Sequence, residues 1–122
     1  MSESPEQLNT RVTEAIFHAE HEPEGTAAAE AAFRAVSELE EKLARAIPAD
    51  QLQGGLARIG AVTAALQAGD WLRAAWLAES FAAGAPADVA EQLRILAGDA
   101  EKASREIAEP NVLPISFELR AA

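Results

Sequence analysis

The helical character of the chain is clearest in residues 69–88, which read GDWLRAAWLAESFAAGAPAD. Gly69 followed by Asp70 is typical of a helix C-cap directly before the N-cap of the next helix, so we expect a tight turn between antiparallel helices here. The second of these helices is predicted to run from Trp71 to Ala83, where a Gly-Ala-Pro segment ends it. Its large apolar residues lie among alanines on nearly every side, which predicts a central, buried helix.

Two further helices on either side of this segment each carry one apolar stripe. The third helix of the chain is predicted to begin with Asp50 as N-cap, or at about Gly55 because Gly54 and Gly55 weaken a first turn. Its stripe is Leu52, Leu56, Ile59, Val62 and Leu66. The fifth helix is predicted to begin with Asp88 near its N-cap and to end at Pro110. Its apolar stripe has heptad spacing, and we interpret this helix as a member of a bundle. The stripe consists of Val89, Leu93, Leu96, Ala100, Ala103 and Ile107.

The N-terminal part of the chain predicts two more helices. The first runs from about Pro5 to His21, with Ser4 as N-cap. The second begins near Thr26 and stops at Pro48. Two pairs, Glu38–Lys42 and Glu41–Arg45, have the i,i+4 spacing of ion pairs on an exposed helical face. We therefore predict an all-α domain over residues 1–110, built from about five helices in successive antiparallel hairpins.

The sequence does not decide how these hairpins are arranged. They form either a small bundle or a short helical-repeat-like array. Pro48-Ala49-Asp50 recurs as Pro86-Ala87-Asp88, and each copy lies between two predicted helices. The offset of 38 residues falls in the range of helical repeats. Proline, alanine and aspartate are also common between unrelated helices, so this recurrence is compatible with both arrangements.

The C-terminal segment has a different periodicity. Leu113, Ile115, Phe117 and Leu119 alternate with less apolar residues, which is the pattern of a β-strand. A single strand has no ladder partner within a helical chain. We therefore expect residues 111–122 to form an extended arm that either packs on its own domain or adds as a strand to another chain.

Composition and charge narrow the possible partners. The chain has 20 Asp and Glu against 10 Lys and Arg, a net charge of −10, and this acidity disfavours nucleic-acid and anionic membrane surfaces. Residues 1–50 alone have a net charge of −7, so a basic partner would be steered to the N-terminal half. The absence of cysteine and the acidic N-terminus favour the cytoplasm, or a particle assembled inside the cell. The high alanine and arginine content suggests a bacterial or phage source.

No catalytic or cofactor-binding motif is evident, so we expect neither an enzyme nor a cofactor. The ligand-type side chains that cluster in sequence are Glu14, His18, His21 and Glu22. They share one arc of the first helix, which makes a small metal- or ligand-binding bundle the alternative function, with His18 and His21 as candidate ligands. Because this arc faces away from the helix's apolar stripe, solvated histidines are the favoured interpretation and no metal is predicted.

Two tryptophans complete the candidate functional residues. Trp71 and Trp76 lie about 140° apart on the fourth helix, so both are fully buried only if that helix is covered on two sides. Otherwise one of them lies in a groove that accepts a partner. We therefore expect a non-enzymatic interaction or assembly component, such as an adaptor, a chaperone-like protein or a structural subunit. It would bind a protein partner or another copy of itself through Trp71, Trp76 and the arm residues Leu113, Ile115, Phe117 and Leu119.

Overall fold

The computed structural model describes residues 3–108, and within this range it is an all-α helical bundle without strands. The five helices are α1 Pro5–Glu20, α2 Ala27–Ala46, α3 Leu52–Gln67, α4 Trp71–Ala82 and α5 Ala87–Ala108. The predicted all-α class and helix number are confirmed for this range. The arm, with Leu113, Ile115, Phe117 and Leu119, lies outside the described residues.

Three helices begin with a side-chain cap, and two of these caps, Ser4 and Asp70, were predicted from the sequence. The hydroxyl of Ser4 accepts a hydrogen bond from the Gln7 backbone N–H, and the Gln7 side chain accepts one from the Ser4 N–H, which completes a capping box. Thr26 caps α2 by accepting from the Ala29 N–H. Asp70 caps α4 by accepting from the Arg73 N–H. Each cap satisfies a backbone donor that has no partner inside its helix.

The starts of α3 and α5 differ from the prediction. The N-cap position of α3 is Gln51, which makes no side-chain capping bond, and the helix continues through Gly54 and Gly55. Gly54 lies against the Pro48 carbonyl, where a Cβ atom would collide with that oxygen, so its lack of a side chain allows the close approach. The α5 helix begins at Ala87, and Asp88 therefore lies inside its first turn.

Helices adjacent in the chain pack against each other, and α3 also contacts α5. The direction of packing is clear for α2 and α3, because Ser37 meets Ala61 near their middles while Ile47, at the end of α2, meets Arg58 near the start of α3. These two helices are therefore antiparallel. The centre of the bundle contains small residues and a few large ones, namely Leu43, Ala57, Ala61, Val62, Ala65, Ala74, Leu77, Ala78, Phe81, Ala90, Leu93 and Ala100.

Two predictions about burial are wrong in part. The apolar stripe of the third helix was expected to face the core, and Val62 does so, but Leu52 and Leu56 are exposed. The other residues that α3 buries are glycines and alanines, which permit close helix packing. The fourth helix was expected to be buried all round. It buries one face, and no other helix in residues 3–108 covers the opposite face with Leu72 and Trp76.

Candidate interaction surface

The best-defined candidate surface is the exposed apolar side of α4. Leu72 is 84% exposed and Trp76 is 53% exposed, and the i,i+4 spacing places them one turn apart on the same side of the helix. We call these two residues the α4 outer face. Single exposed leucines are common on protein surfaces, whereas neighbouring large apolar side chains that form a contiguous patch mark candidate binding sites.

The turn before α4 fixes the position of this face. Gly69 has φ of +74°, and the N–H groups of Gly69 and Asp70 donate to the carbonyls of Leu66 and Ala65 at 3.0 Å. This is the Schellman arrangement, which ends α3 and leaves Asp70 as the N-cap of α4. A second restraint is the contact between Arg34 of α2 and the Asp70 carboxylate at 3.4 Å. The start of α4 is therefore held from both α2 and α3.

Trp71 lies beside this face in a groove between α4 and α5. The tryptophan is partly buried, whereas Trp76 does not line the groove. The cavity has a volume of about 590 Å³ and is lined by Trp71, Leu72, Ala75, Glu79, Arg94, Ala97, Gly98, Ala100, Glu101, Ser104 and Arg105. We call it the α4–α5 groove. Since Leu72 lines it and also belongs to the α4 outer face, the two form one continuous surface.

A smaller groove lies between α3 and α5. Its volume is about 420 Å³, and it contains the exposed leucines Leu52 and Leu56 together with Ile59 and Val89. Gly55 packs directly against the Val89 side chain, so α3 and α5 approach closely beneath this groove. The stripe that sequence analysis assigned to the core thus partly lines a surface groove.

A polar network joins α2, α3 and α4, and of its links only the Glu41–Arg45 pair was predicted from the sequence. Ser37 is fully buried, donates to the Ala61 carbonyl at 2.7 Å and accepts from Arg73 Nε at 3.0 Å. Arg73 also donates to Glu41 at 2.7 Å, and Arg45 binds the other oxygen of the same carboxylate at 2.8 Å. Burial acts to raise the pKa of Glu41, but the hydrogen bonds and charges of Arg45 and Arg73 lower it below its ordinary value.

Two arginines lie close to the buried ring of Phe81. The guanidinium carbons of Arg45 and Arg58 are 5.3 and 5.4 Å from the ring centroid, within range of a cation–π interaction. Arg58 Nη1 also donates to the carbonyls of Ile47 and Gly54, at 3.1 and 2.9 Å. Burial and then the nearby charge of Arg45 lower the pKa of Arg58. The arginine thus donates to the carbonyl of Ile47, the C-cap residue of α2, and links the end of α2 to the first turns of α3.

These features define a surface made of apolar residues and arginines. No family model, curated protein or solved structure matches the chain. None of the helices in residues 3–108 combines the length and apolar character needed to cross a bilayer. The functional assignment therefore depends on the chemistry of the surface itself.

The histidine cluster of α1 does not form a metal-binding group. His18 Nε2 is 3.4 Å from a carboxylate oxygen of Glu22, while His21 bonds the Phe17 carbonyl through Nδ1 at 2.7 Å and stacks against the Phe17 ring. Across residues 3–108, no three side chains of the metal-ligating types converge on one point. Glu14 accordingly does not join His18, His21 and Glu22 in a shared site.

Proposed function

We propose that this chain is a non-enzymatic assembly component that docks on other protein chains through its apolar helical surface and its arm. The observation that carries this proposal is the exposure of Leu72 and Trp76 on a helix whose other face packs into the core. Tryptophan in a partly desolvated setting is the residue type that most often dominates binding energy. Trp71, in the adjoining α4–α5 groove, extends the surface with a second aromatic anchor.

In this proposal the occupant of the α4–α5 groove is the arm of a second copy. The chain continues for 14 residues after Ala108, enough to span roughly 45 Å when extended. The groove runs along α5 between Arg94 and Arg105, which is only about 16 Å of helix. Residues 3–108 offer no sheet edge for strand pairing. Leu113, Ile115, Phe117 and Leu119 would therefore contribute through side-chain contacts with the groove.

The proposal is tested by adding a synthetic peptide of residues 109–122 to the truncated chain 1–110. We expect the truncated chain to keep its helical circular dichroism and melting temperature, and the peptide to change its tryptophan fluorescence in a saturable way. Leu72→Ser and Trp76→Ser should each weaken peptide binding at least about fivefold, equivalent to roughly 1 kcal/mol. Ile95→Ser, an exposed residue of α5 outside the groove, is the matched control and should have no effect.

Light scattering of the full chain provides the second measurement. Self-association that grows with concentration and disappears in the 1–110 chain supports docking between copies. If the truncated chain unfolds, the arm belongs to its own core, and the docking proposal fails. A full chain that stays monomeric while the peptide leaves the fluorescence of 1–110 unchanged also contradicts it.

A further inference from the structure

The basic side chains of this acidic protein are not evenly distributed. Two neighbouring surface cavities, of about 500 and 350 Å³, share Arg45 in their linings. Their basic lining residues are Arg11, Lys42, Arg45, Arg58 and Arg73, which is half of the Lys and Arg content of the chain. We call these five residues the basic strip. It crosses α1, α2, α3 and α4, so only the folded chain brings it together.

The acids around the strip do not neutralise it. Glu38 and Glu41 line the larger cavity, and Glu3 pairs with Arg11. With these three carboxylates against five bases, the strip keeps a surplus of two positive charges in a chain of net charge −10. Three of the strip's bases, Arg11, Lys42 and Arg45, and all three acids come from residues 1–50, the more acidic part of the sequence. The sequence-based expectation that this half attracts basic partners therefore does not apply to this face.

Two of the five bases have no acidic partner among residues 3–108. Within residues 3–108 Lys42 makes no ion pair, and the i,i+4 pair with Glu38 expected from the sequence does not form. Arg58 is positioned by the Ile47 and Gly54 carbonyls, and both bonds use Nη1. Its Nε and Nη2 atoms form the edge that binds a carboxylate in two-point geometry, and this edge has no hydrogen-bond partner in the described residues.

We propose that the basic strip binds a short acidic peptide segment of a partner protein, with one carboxylate on Arg58 and another near Lys42. Arg45, already bound to Glu41, lies between the two cavities and completes the positive surface. A carboxylate beside Arg58 also relieves its repulsion by Arg45. Nucleic acid is a poorer occupant, because a duplex carries a charge every ~1.7 Å and would extend over the strongly negative remainder of the surface.

The experiment measures binding of a fluorescent hexaglutamate peptide to the full chain by anisotropy, with hexaglutamine as the uncharged control peptide. We expect binding at about 20 mM NaCl that weakens roughly tenfold at about 200 mM, because the Debye length falls from about 20 Å to about 7 Å. Lys42→Ala should weaken binding about three- to tenfold. Lys102→Ala, an exposed lysine of α5 with the same change in net charge, is the matched control and should leave binding unchanged.

Arg58→Lys tests the positioned edge, since lysine keeps the charge but lacks the two-point geometry. We expect it to weaken hexaglutamate binding while the melting temperature shows that the variant is folded.

If binding is absent at low salt, if hexaglutamine binds equally, or if Lys102→Ala weakens binding as much as Lys42→Ala, the proposal is wrong. Displacement of the peptide by inorganic phosphate at equal charge concentration would likewise overturn it in favour of a small-anion site. Trp76→Ser does not alter the strip, so this test is independent of the α4 surface.

Discussion

Glu40 is the residue whose ionisation is most affected by the packing of α2 on α3. Its carboxyl group lies over the backbone of Gly60, at a place where any side chain on residue 60 would collide with it. Burial raises the pKa of Glu40 from 4.5 to about 7. The folded chain therefore binds a proton more tightly here than the unfolded chain does. As a result, Glu40 lowers the free energy of unfolding progressively as the pH rises from about 4.5 to about 7.

The variant Glu40→Gln removes this ionisation while keeping the shape of the side chain. We expect equal stability of the variant and the parent near pH 4.5, and a variant that is more stable by roughly 1 kcal/mol at pH 8, a figure reduced because the group is partly solvated. Urea unfolding at several pH values measures the difference. Glu38→Gln, an exposed neighbour on α2, is the control. A difference between Glu40→Gln and parent that does not change with pH contradicts this account.

Ser37 shows why parts of the candidate site could not be predicted residue by residue. In the sequence it follows Val36 in an amphipathic helix and carries no motif, yet it is fully buried and bonds to both α3 and α4. Its role depends on Arg73, 36 residues away, and on the Ala61 carbonyl. Side-chain networks between helices have no local signal, whereas helix caps depend on neighbours within three residues, and the caps Ser4 and Asp70 were predicted.

At the level of helices and turns, the clearest prediction concerns the connection between α3 and α4. Gly69 adopts a left-handed φ of +74°, where a Cβ atom is unfavourable. Gly69→Ala should therefore lower the free energy of unfolding by about 1–2 kcal/mol and the melting temperature by roughly 4–8 °C per kcal/mol. Gly98→Ala, in the interior of α5 with open space around its Cβ position, should instead stabilise the chain by about 0.5–1 kcal/mol.

Thermal unfolding of these two glycine variants tests both signs in one comparison. If Gly69→Ala is as stable as the parent, the Schellman turn contributes little to fixing α4. The α4 outer face would then be positioned mainly by the contact of Arg34 with Asp70 and by the hydrogen bond from Arg73 of α4 to Ser37 of α2. The opposite expectation for Gly98→Ala ensures that a general effect of adding a methyl group is not mistaken for a turn effect.

The positions of the helices could be predicted better than the face that each helix buries. Helical periodicity and caps gave all five helices, because both depend on local spacing. The same periodicity assigned Leu52 and Leu56 to the core, but α3 packs through its glycines, its alanines and Val62. An alanine-rich helix has several faces small enough for close packing, so hydrophobicity alone does not identify the buried one. For the same reason the exposure of Leu72 could not be predicted.

For the whole molecule, the sequence gives the total charge but not its arrangement. Lys42 and Arg58 lie on different helices and 16 residues apart, and only the antiparallel contact of α2 with α3 places them on one strip. The α4 outer face likewise depends on which sides of α4 the neighbouring helices cover. Assembly surfaces of this kind depend on how the helices pack against one another, so a local sequence pattern does not reveal them. Metal-binding and catalytic motifs, in contrast, can be recognised from the spacing of residues along the sequence.

The net charge of −10 also leads to a prediction for the stability of the molecule as a whole. Most of the ion pairs in residues 3–108 involve exposed side chains and contribute little, whereas Arg73–Glu41 is largely buried and poorly screened. Repulsion among the excess carboxylates should therefore be the main salt-dependent contribution to stability. We expect raising NaCl from about 20 to about 200 mM at neutral pH to increase the melting temperature by a few degrees. Near the isoelectric point of about 4.6 the increase should disappear, because the excess charge is lost. A melting temperature that falls with salt at neutral pH would instead mean that attractive pairs outweigh the repulsion.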